Sequence, residues 1–166
     1  KIFFFTILVF LTQCGYQTIY SNKNLNFSVA QIKILNDQNI GRQIKNRLGV
    51  LSSNTNADNF SLEIDSKFEK KTASKDKQGN PNVFSLSIYV KVNVTSESDI
   101  EQSKVFSEAI NYNNSENKFN LKRYEDSLKE NLTEKIIENL LLYLQGISVN
   151  KSNASLKGNI GYTVKK

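Results

Sequence analysis

The sequence predicts an α+β domain: a two-layer sandwich with two helices packed on one face of a mixed four-stranded sheet, in the order β-α-β-β-β-α. Three observations predict it. Phe60–Lys71 and Val83–Thr95 alternate apolar and polar residues, the period of half-buried strands. Two other stretches, Ile40–Leu51 and Leu121–Leu144, carry apolar residues at steps of three and four, the helical period. Each helix has one apolar stripe and the strand pair has one dry face. Burying all three in one core puts both helices on the same side of the sheet.

The elements follow in order. Phe27–Leu35 reads as a strand, with Phe27, Val29 and Leu35 on one face and Ala30, Ile32 and Ile34 on the other. Apolar residues on both faces predict a strand with little solvent exposure. Asn36 and Asp37 are good N-caps for the helix that follows. That helix is carried by Ile40, Ile44, Leu48 and Leu51, with Arg42, Lys45 and Arg47 on its other faces. Ser52–Asn59 is a loop by composition.

In Phe60–Lys71, Phe60, Leu62, Ile64 and Phe68 face the core, and Ser61, Glu63, Asp65, Lys67 and Glu69 face water. Lys75-Asp76-Lys77-Gln78-Gly79-Asn80-Pro81-Asn82 is rich in turn residues. After it Phe84, Leu86, Ile88, Val90, Val92 and Val94 alternate with Ser85, Ser87, Tyr89, Lys91 and Asn93. Two such strands around such a loop make a hairpin. Both exceed the usual five or six residues, so the hairpin is expected to project past the core. Ser96–Ser103 reads as an acidic turn. Val105–Tyr112 reads as a returning strand with Phe106, Ile110 and Tyr112 on one face and Glu108 as the misfit. Asn117 or Asn120 caps the last helix, whose stripe is Leu121, Tyr124, Leu128, Leu132, Ile136, Leu140 and Leu144, widened by Ile137 and Leu141. Gly146 fits a helix stop.

Composition narrows function. His, Met and Trp are absent and there is one Cys. Without His, no Ser–His or Cys–His nucleophile pair can be built. No ligand-type residues cluster at metal spacing. An enzyme is not expected. The net charge of +6 falls to about +1 when Lys1 and the four lysines after Gly146 are set aside. A nucleic-acid binder carries its charge on a folded face, so nucleic acid is not an expected partner.

The N-terminal stretch carries the strongest signal. Ile2–Leu11 contains one polar residue, Thr6. It is too short to span a bilayer, which takes ~20 apolar residues. Its length, behind Lys1, is that of a secretory h-region. The first residue is not Met, and the basic region is expected to start farther upstream. Leu11-Thr12-Gln13-Cys14-Gly15-Tyr16 resembles the lipobox of bacterial lipoproteins. The resemblance implies cleavage before Cys14 and lipid on its thiol. Residues 1–13 are then expected to be a signal peptide, 14–26 a lipidated leader, 27–146 a single α+β domain and 147–166 a basic, disordered tail. No cofactor is expected beyond the covalent lipid on Cys14.

Taken together, the chain resembles the lipopolysaccharide-assembly lipoprotein LptE family. The resemblance rests on Cys14-Gly15-Tyr16, a first strand, a helix with basic residues in Gly41-Arg42-Gln43-Ile44-Lys45-Asn46-Arg47-Leu48, a long hairpin, Tyr112-Asn113 after the last strand, and a final amphipathic helix. It covers about Leu11–Leu144. It implies an outer-membrane lipoprotein, lipid-anchored and facing the periplasm. Such a protein sits inside a large β-barrel partner (LptD), helps that barrel assemble and helps pass lipopolysaccharide to the cell surface. The charged outer face of the hairpin suits a plug in a polar lumen. The candidate lipopolysaccharide-binding residues are Lys75 and Lys77 at the hairpin tip and Lys122 and Arg123 at the start of the last helix, where the helix N-terminus adds a pull on phosphate. The alternative is a periplasm-facing lipoprotein that acts as pilot or adaptor for another envelope secretion or transport complex. A lipid-anchored hydrolase is disfavoured by the missing His.

Overall fold

The computed structural model describes residues 25, 27–51, 58–96 and 101–159. The expected signal peptide, Cys14 and nearly all of the leader lie outside them, as do residues 160–166. The elements are β1 (Phe27–Asn36), α1 (Gln38–Leu51), β2 (Asp58–Lys75), β3 (Pro81–Ser96), β4 (Glu101–Asn113) and α2 (Lys118–Asn159). The fold is α+β: one mixed four-stranded sheet with two helices, in the order β-α-β-β-β-α.

The sheet order is β1-β2-β3-β4, with β1 parallel to β2 and the other pairs antiparallel. A parallel neighbour needs a crossover, and α1 is that crossover. The dry face is read off the register. Phe60, Leu62, Ile64, Ser66 and Phe68 on β2 lie opposite Ser96, Val94, Val92, Val90 and Ile88 on β3. Leu62, Ile64, Leu86, Ile88, Val90, Val92 and Val94 are all buried. From α1 they meet Ile40, Ile44 and Leu48, and from α2 Leu128, Leu132, Ile136, Leu140 and Leu144, in one cluster.

β1 departs from its sequence reading. It is an edge strand, and Ala30, Gln31 and Lys33 are exposed. A bulge between Val29 and Gln31 inserts one residue and moves the alternation by one position. That shift puts Ile32 and Ile34 in register with Leu62 and Ile64, and it accounts for apolar residues at both parities.

The turn from β1 into α1 is tightly held. Asn36 sits at φ 56°, a left-handed conformation that Asn tolerates better than most residues. Asp37 caps α1, its Oδ1 accepting from the backbone N–H of Asn39 (2.9 Å) and Ile40 (3.2 Å). Ser66 is buried in β2, where an apolar residue would fit the alternation. Its Oγ donates to the Asp37 carbonyl at 3.0 Å, and the Asp37 N–H donates to the Ser66 carbonyl at 3.1 Å. Gly41 follows one turn later because a β-carbon there would overlap Cγ2 of Ile34. The first turn of α1 therefore lies directly on β1.

α2 does not stop at Gly146. It runs on to Asn159, so residues 147–159 are helical where the sequence reading begins a tail. A C-terminal glycine stops a helix by adopting a left-handed conformation. Gly79 is the one described glycine with positive φ, and Gly146 keeps the helical course. Packing also continues past it, since Ser148 is 3% exposed and Ile147 touches the core. The buried positions Leu128, Leu132, Ile136, Leu140, Leu144 and Ser148 recur every four residues. With 3.6 residues per turn, such a row winds slowly around the helix. α2 accordingly touches β4, β3, β1 and α1.

Candidate functional site

The hairpin outruns its neighbours. β1 stops pairing at Ser66, whereas β2 continues to Lys75 against Pro81. β4 supports β3 as far as the Val83–Asn113 pair. The tip is built by Asp76. Its backbone N–H donates to the Asn80 carbonyl at 2.8 Å, and its Oδ1 accepts from the N–H of Gln78 (2.9 Å) and Asn80 (2.8 Å). Gly79 closes the turn at φ 88°. The backbone donors of Asn80 and its neighbours hold the Asp76 carboxyl below its ordinary pKa. The carboxylate is thus spent on the turn. Lys75 and Lys77 flank it, both exposed, with no ion-pair partner among the described residues.

The second basic pair sits on the first turns of α2. Asn117 caps that helix through the Asn120 N–H at 3.0 Å. No acidic residue lies in its first turn. Lys122 is bound to Asp126 at 2.6 Å, one turn on, which raises the Lys122 pKa and neutralises its charge locally. Arg123 has no carboxylate partner among the described residues; its guanidinium lies 6.0 Å from the centroid of Phe119. Phe119 is 70% exposed and Tyr124 51%. This surface therefore presents two aromatic rings beside one unpaired guanidinium and one compensated ammonium.

The two pairs are far apart in sequence, yet they lie at one end of the molecule. Asn114 joins them. Its backbone N–H donates to the Asn82 carbonyl at 2.8 Å, and its side-chain Nδ2 donates to the Pro81 carbonyl at 2.8 Å. Its Oδ1 accepts from Lys118 Nζ at 3.0 Å, the first residue of α2. Below this junction a cluster that the sequence reading missed clamps α2 to the hairpin. Lys70 Nζ and the Tyr112 hydroxyl both donate to Oε1 of Glu125, at 2.5 Å and 2.7 Å. Lys70 also lies 4.3 Å from the centroid of Phe84, which is 5.7 Å from the Tyr112 ring. Burial pushes the Glu125 pKa up, but Lys70 and Tyr112 outweigh it and the net shift is downward. Burial and then the Glu125 carboxylate push Tyr112 up. The available signal was Lys70 itself, which continues the dry-face positions 64, 66 and 68. A lysine there needs an acidic partner across the layer.

The remaining surface offers little chemistry. A shallow groove of about 600 Å³ lies between the β1 bulge and the last turns of α1, lined by Val29, Gln31, Ile32, Lys45, Asn46 and Gly49. Two others lie between the helices, over Asn46, Arg47, Glu130 and Glu134 among others. None brings a nucleophile to a base. No three His, Cys, Asp or Glu residues group for a metal among the described residues. No described helix is long and apolar enough to cross a membrane. The open face of the sheet is polar. It carries the Lys33–Glu63 pair at 2.7 Å and Glu69 bridging Lys67 (2.6 Å) and Lys71 (2.7 Å).

No family model matches the chain, and no curated protein matches its sequence. Solved structures do match its fold. The rare lipoprotein B of Shewanella oneidensis is 17% identical, with a TM-score of 0.51, over 75% of this chain and 98% of that one. An uncharacterized lipoprotein B of Nitrosomonas europaea is 14% identical, with a TM-score of 0.55, over 83% of this chain and 93% of that one. At these identities the likeness is one of fold. Both carry the word lipoprotein in their names.

Proposed function

We propose that this chain is an outer-membrane lipoprotein, anchored through Cys14, that plugs and helps assemble a large β-barrel lipopolysaccharide translocon (LptD) and assists lipopolysaccharide insertion at the cell surface. It faces the periplasm and enters the barrel lumen, and its role is not enzymatic. The observation that carries the reading is the union of two basic clusters at one end, Lys75 and Lys77 with Lys122 and Arg123, joined through Asn114. Lipopolysaccharide presents phosphates on a sugar headgroup. Lysine meets phosphate as a point charge and arginine as a planar fork. Lys75, Lys77 and Arg123 are the members without a carboxylate partner among the described residues, so they contribute most; Lys122 contributes less because Asp126 holds it. Further support comes from the fold shared with two lipoproteins and from the polar open sheet face, which suits a water-lined lumen.

The test is charge reversal: Lys75→Glu with Lys77→Glu, and separately Lys122→Glu with Arg123→Glu. Both double variants should bind purified lipopolysaccharide more weakly than the parent, the first more so, and the difference should shrink as salt rises. Unchanged binding in both folded variants removes these residues from the mechanism. For the partner, the lipidated chain is extracted from its native membrane in detergent, and co-purifying proteins are identified by mass. A large barrel protein supports the plug. Extraction as a monomer, or with a different envelope complex, replaces it by the adaptor role.

A further inference from the structure

The two edges of the sheet are built differently. β1 carries a bulge between Val29 and Gln31, a device that turns an edge away from further pairing. β4 carries none. Its register with β3 runs unbroken along the strand, which contains neither Pro nor Gly. No described strand lies beyond it. Its outer edge can therefore accept another strand along thirteen residues.

The charges on this edge are placed symmetrically. Lys104 lies opposite Val92, Phe106 opposite Val90 and Glu108 opposite Ile88, so all three point to the helix layer. Phe106 is buried against Tyr143, Lys104 is exposed and Glu108 half-buried. Neither charge has an ion-pair partner among the described residues. Charges turned inward at an edge keep foreign strands off. These two are opposite in sign and stand two residues either side of Phe106. In an antiparallel pair centred on Phe106, Lys104 of each chain meets Glu108 of the other. Val105 then meets Ser107, Ser103 meets Ala109, Gln102 meets Ile110 and Glu101 meets Asn111. No like charges face each other. A pair centred on Lys104 or on Glu108 sets like charges together instead.

The helix layer leaves room for this. α2 touches both β3 and β4. An axis midway between them stands about 5 Å from the dyad and about 10 Å from its copy, the spacing of packed helices. The flank of α2 on that side is apolar and uncovered. The Tyr124 ring lies 6.1 Å from the ring of Tyr112 on β4. Leu142 follows eighteen residues later, five full turns, so it shares that flank. Both side chains are exposed.

We propose that β4 pairs with β4 of a second copy of this chain, antiparallel and centred on Phe106. The product is one eight-stranded sheet with all four helices on the same face. Two Lys104–Glu108 ion pairs, related by the two-fold axis, set the register. The pairing goes beyond the function proposed above and does not rest on it.

The full chain is tested with Cys14→Ser in every variant, so that introduced thiols are the only ones. Ser103→Cys with Ala109→Cys sets two thiols opposite each other across the dyad, with α-carbons about 5 Å apart, within disulfide reach. Within one chain the two positions are about 20 Å apart, too far to bridge. Mild oxidation of the purified chain should give a covalent dimer from the double variant and from neither single variant. Reversal of one charge, Lys104→Glu or Glu108→Lys, replaces two attractive pairs by two repulsive ones. Dimerisation, read by light scattering over a concentration series, should weaken about tenfold. Lys104→Glu with Glu108→Lys should restore it to within about threefold. Circular dichroism checks that each variant is folded. The proposal is overturned by a double-cysteine variant that stays monomeric, by equal cross-linking of the single variants, or by a double reversal no better than the single ones. A cross-link in whole cells to a protein of another mass, with the purified chain monomeric, gives the edge to that partner instead. None of these outcomes involves Cys14 or the basic end of the molecule, so failure here leaves the proposed function to be judged on its own.

Discussion

Lys129 Nζ stands 3.4 Å from Oδ2 of Asp37, so the carboxylate that caps α1 is paired by a residue of α2. The same ammonium lies 4.7 Å from the centroid of Phe68. One lysine thus ties both helices and β2 together at the point where the sheet narrows. Burial pushes Asp37 up, yet the Ile40 N–H, Lys129 and the Asn39 N–H outweigh it and lower its pKa. A carboxyl with a lowered folded-state pKa adds stability above its unfolded value, about 3.9 for Asp, and loses it as pH falls through the folded value. Stability measured by urea unfolding should therefore drop below about pH 4, and Asp37→Asn should flatten that drop. At neutral pH Asp37→Ala should cost about 1 kcal/mol or more, because the cap goes and Lys129 is stranded.

Gly41 and Gly49 lie on the same helix and should respond oppositely to alanine. At Gly49 nothing stands near an added β-carbon. Gly49→Ala should raise stability by about 0.5–1 kcal/mol through helix propensity. At Gly41 the added carbon overlaps Ile34. Gly41→Ala should lower the melting temperature, with an overpacking cost of about 1–3 kcal/mol. A stabilised Gly41→Ala would show that α1 rides higher on β1.

Leu132 and Leu142 test the direction of α2. Leu132 is 3% exposed and Leu142 52%. Leu132→Ala should lose about 2–5 kcal/mol in denaturant unfolding. Leu142→Ala should lose no more than about 0.5 kcal/mol.

Tyr112→Phe keeps the ring beside Phe84 and removes the bond to Glu125. A loss of about 1 kcal/mol is expected. Glu125→Ala should cost more, because it leaves both Lys70 and Tyr112 without their shared acceptor. Spectrophotometric titration should show one fewer tyrosine ionising above the usual range in Tyr112→Phe than in the parent, because Tyr143, raised by burial, is retained in both.

Much of the fold was legible because the strands advertise themselves. Phe84–Val94 keeps period two without a break and Phe60–Phe68 breaks it only at Ser66, and that fixes which face is dry. The capping residues were legible for the same local reason: Asp37 and Asn117 both bind N–H groups two or three residues ahead. What escaped depends on contacts distant in sequence. The β1 bulge is set by the register against β2, so Val29–Ile32 alone reads as a strand buried on both sides. The continuation of α2 through Gly146 depends on its packing at Ile147 and Ser148. The Lys70–Glu125–Tyr112 cluster joins residues that periodicity assigns separately. The basic residues Lys75, Lys77, Lys122 and Arg123 are candidates read from the sequence. Their meeting at one end through Asn114 was not, and neither was the local neutralisation of Lys122 by Asp126.

The order of strands in the sheet follows the order in the chain, β1-β2-β3-β4. Hairpins β2-β3 and β3-β4 close over short separations and can form on the microsecond scale. The apolar face they create has no cover of its own except α1. Its main lid, Leu128 to Leu144, belongs to α2 and is made after all four strands. A nascent chain lacking α2 would therefore expose Ile88, Val90 and Val92 to water, a β-rich apolar surface of the kind that aggregates. Complete burial of this face is thereby deferred until α2 has been made. The dry face of the sheet is covered only when α2 lies down on it.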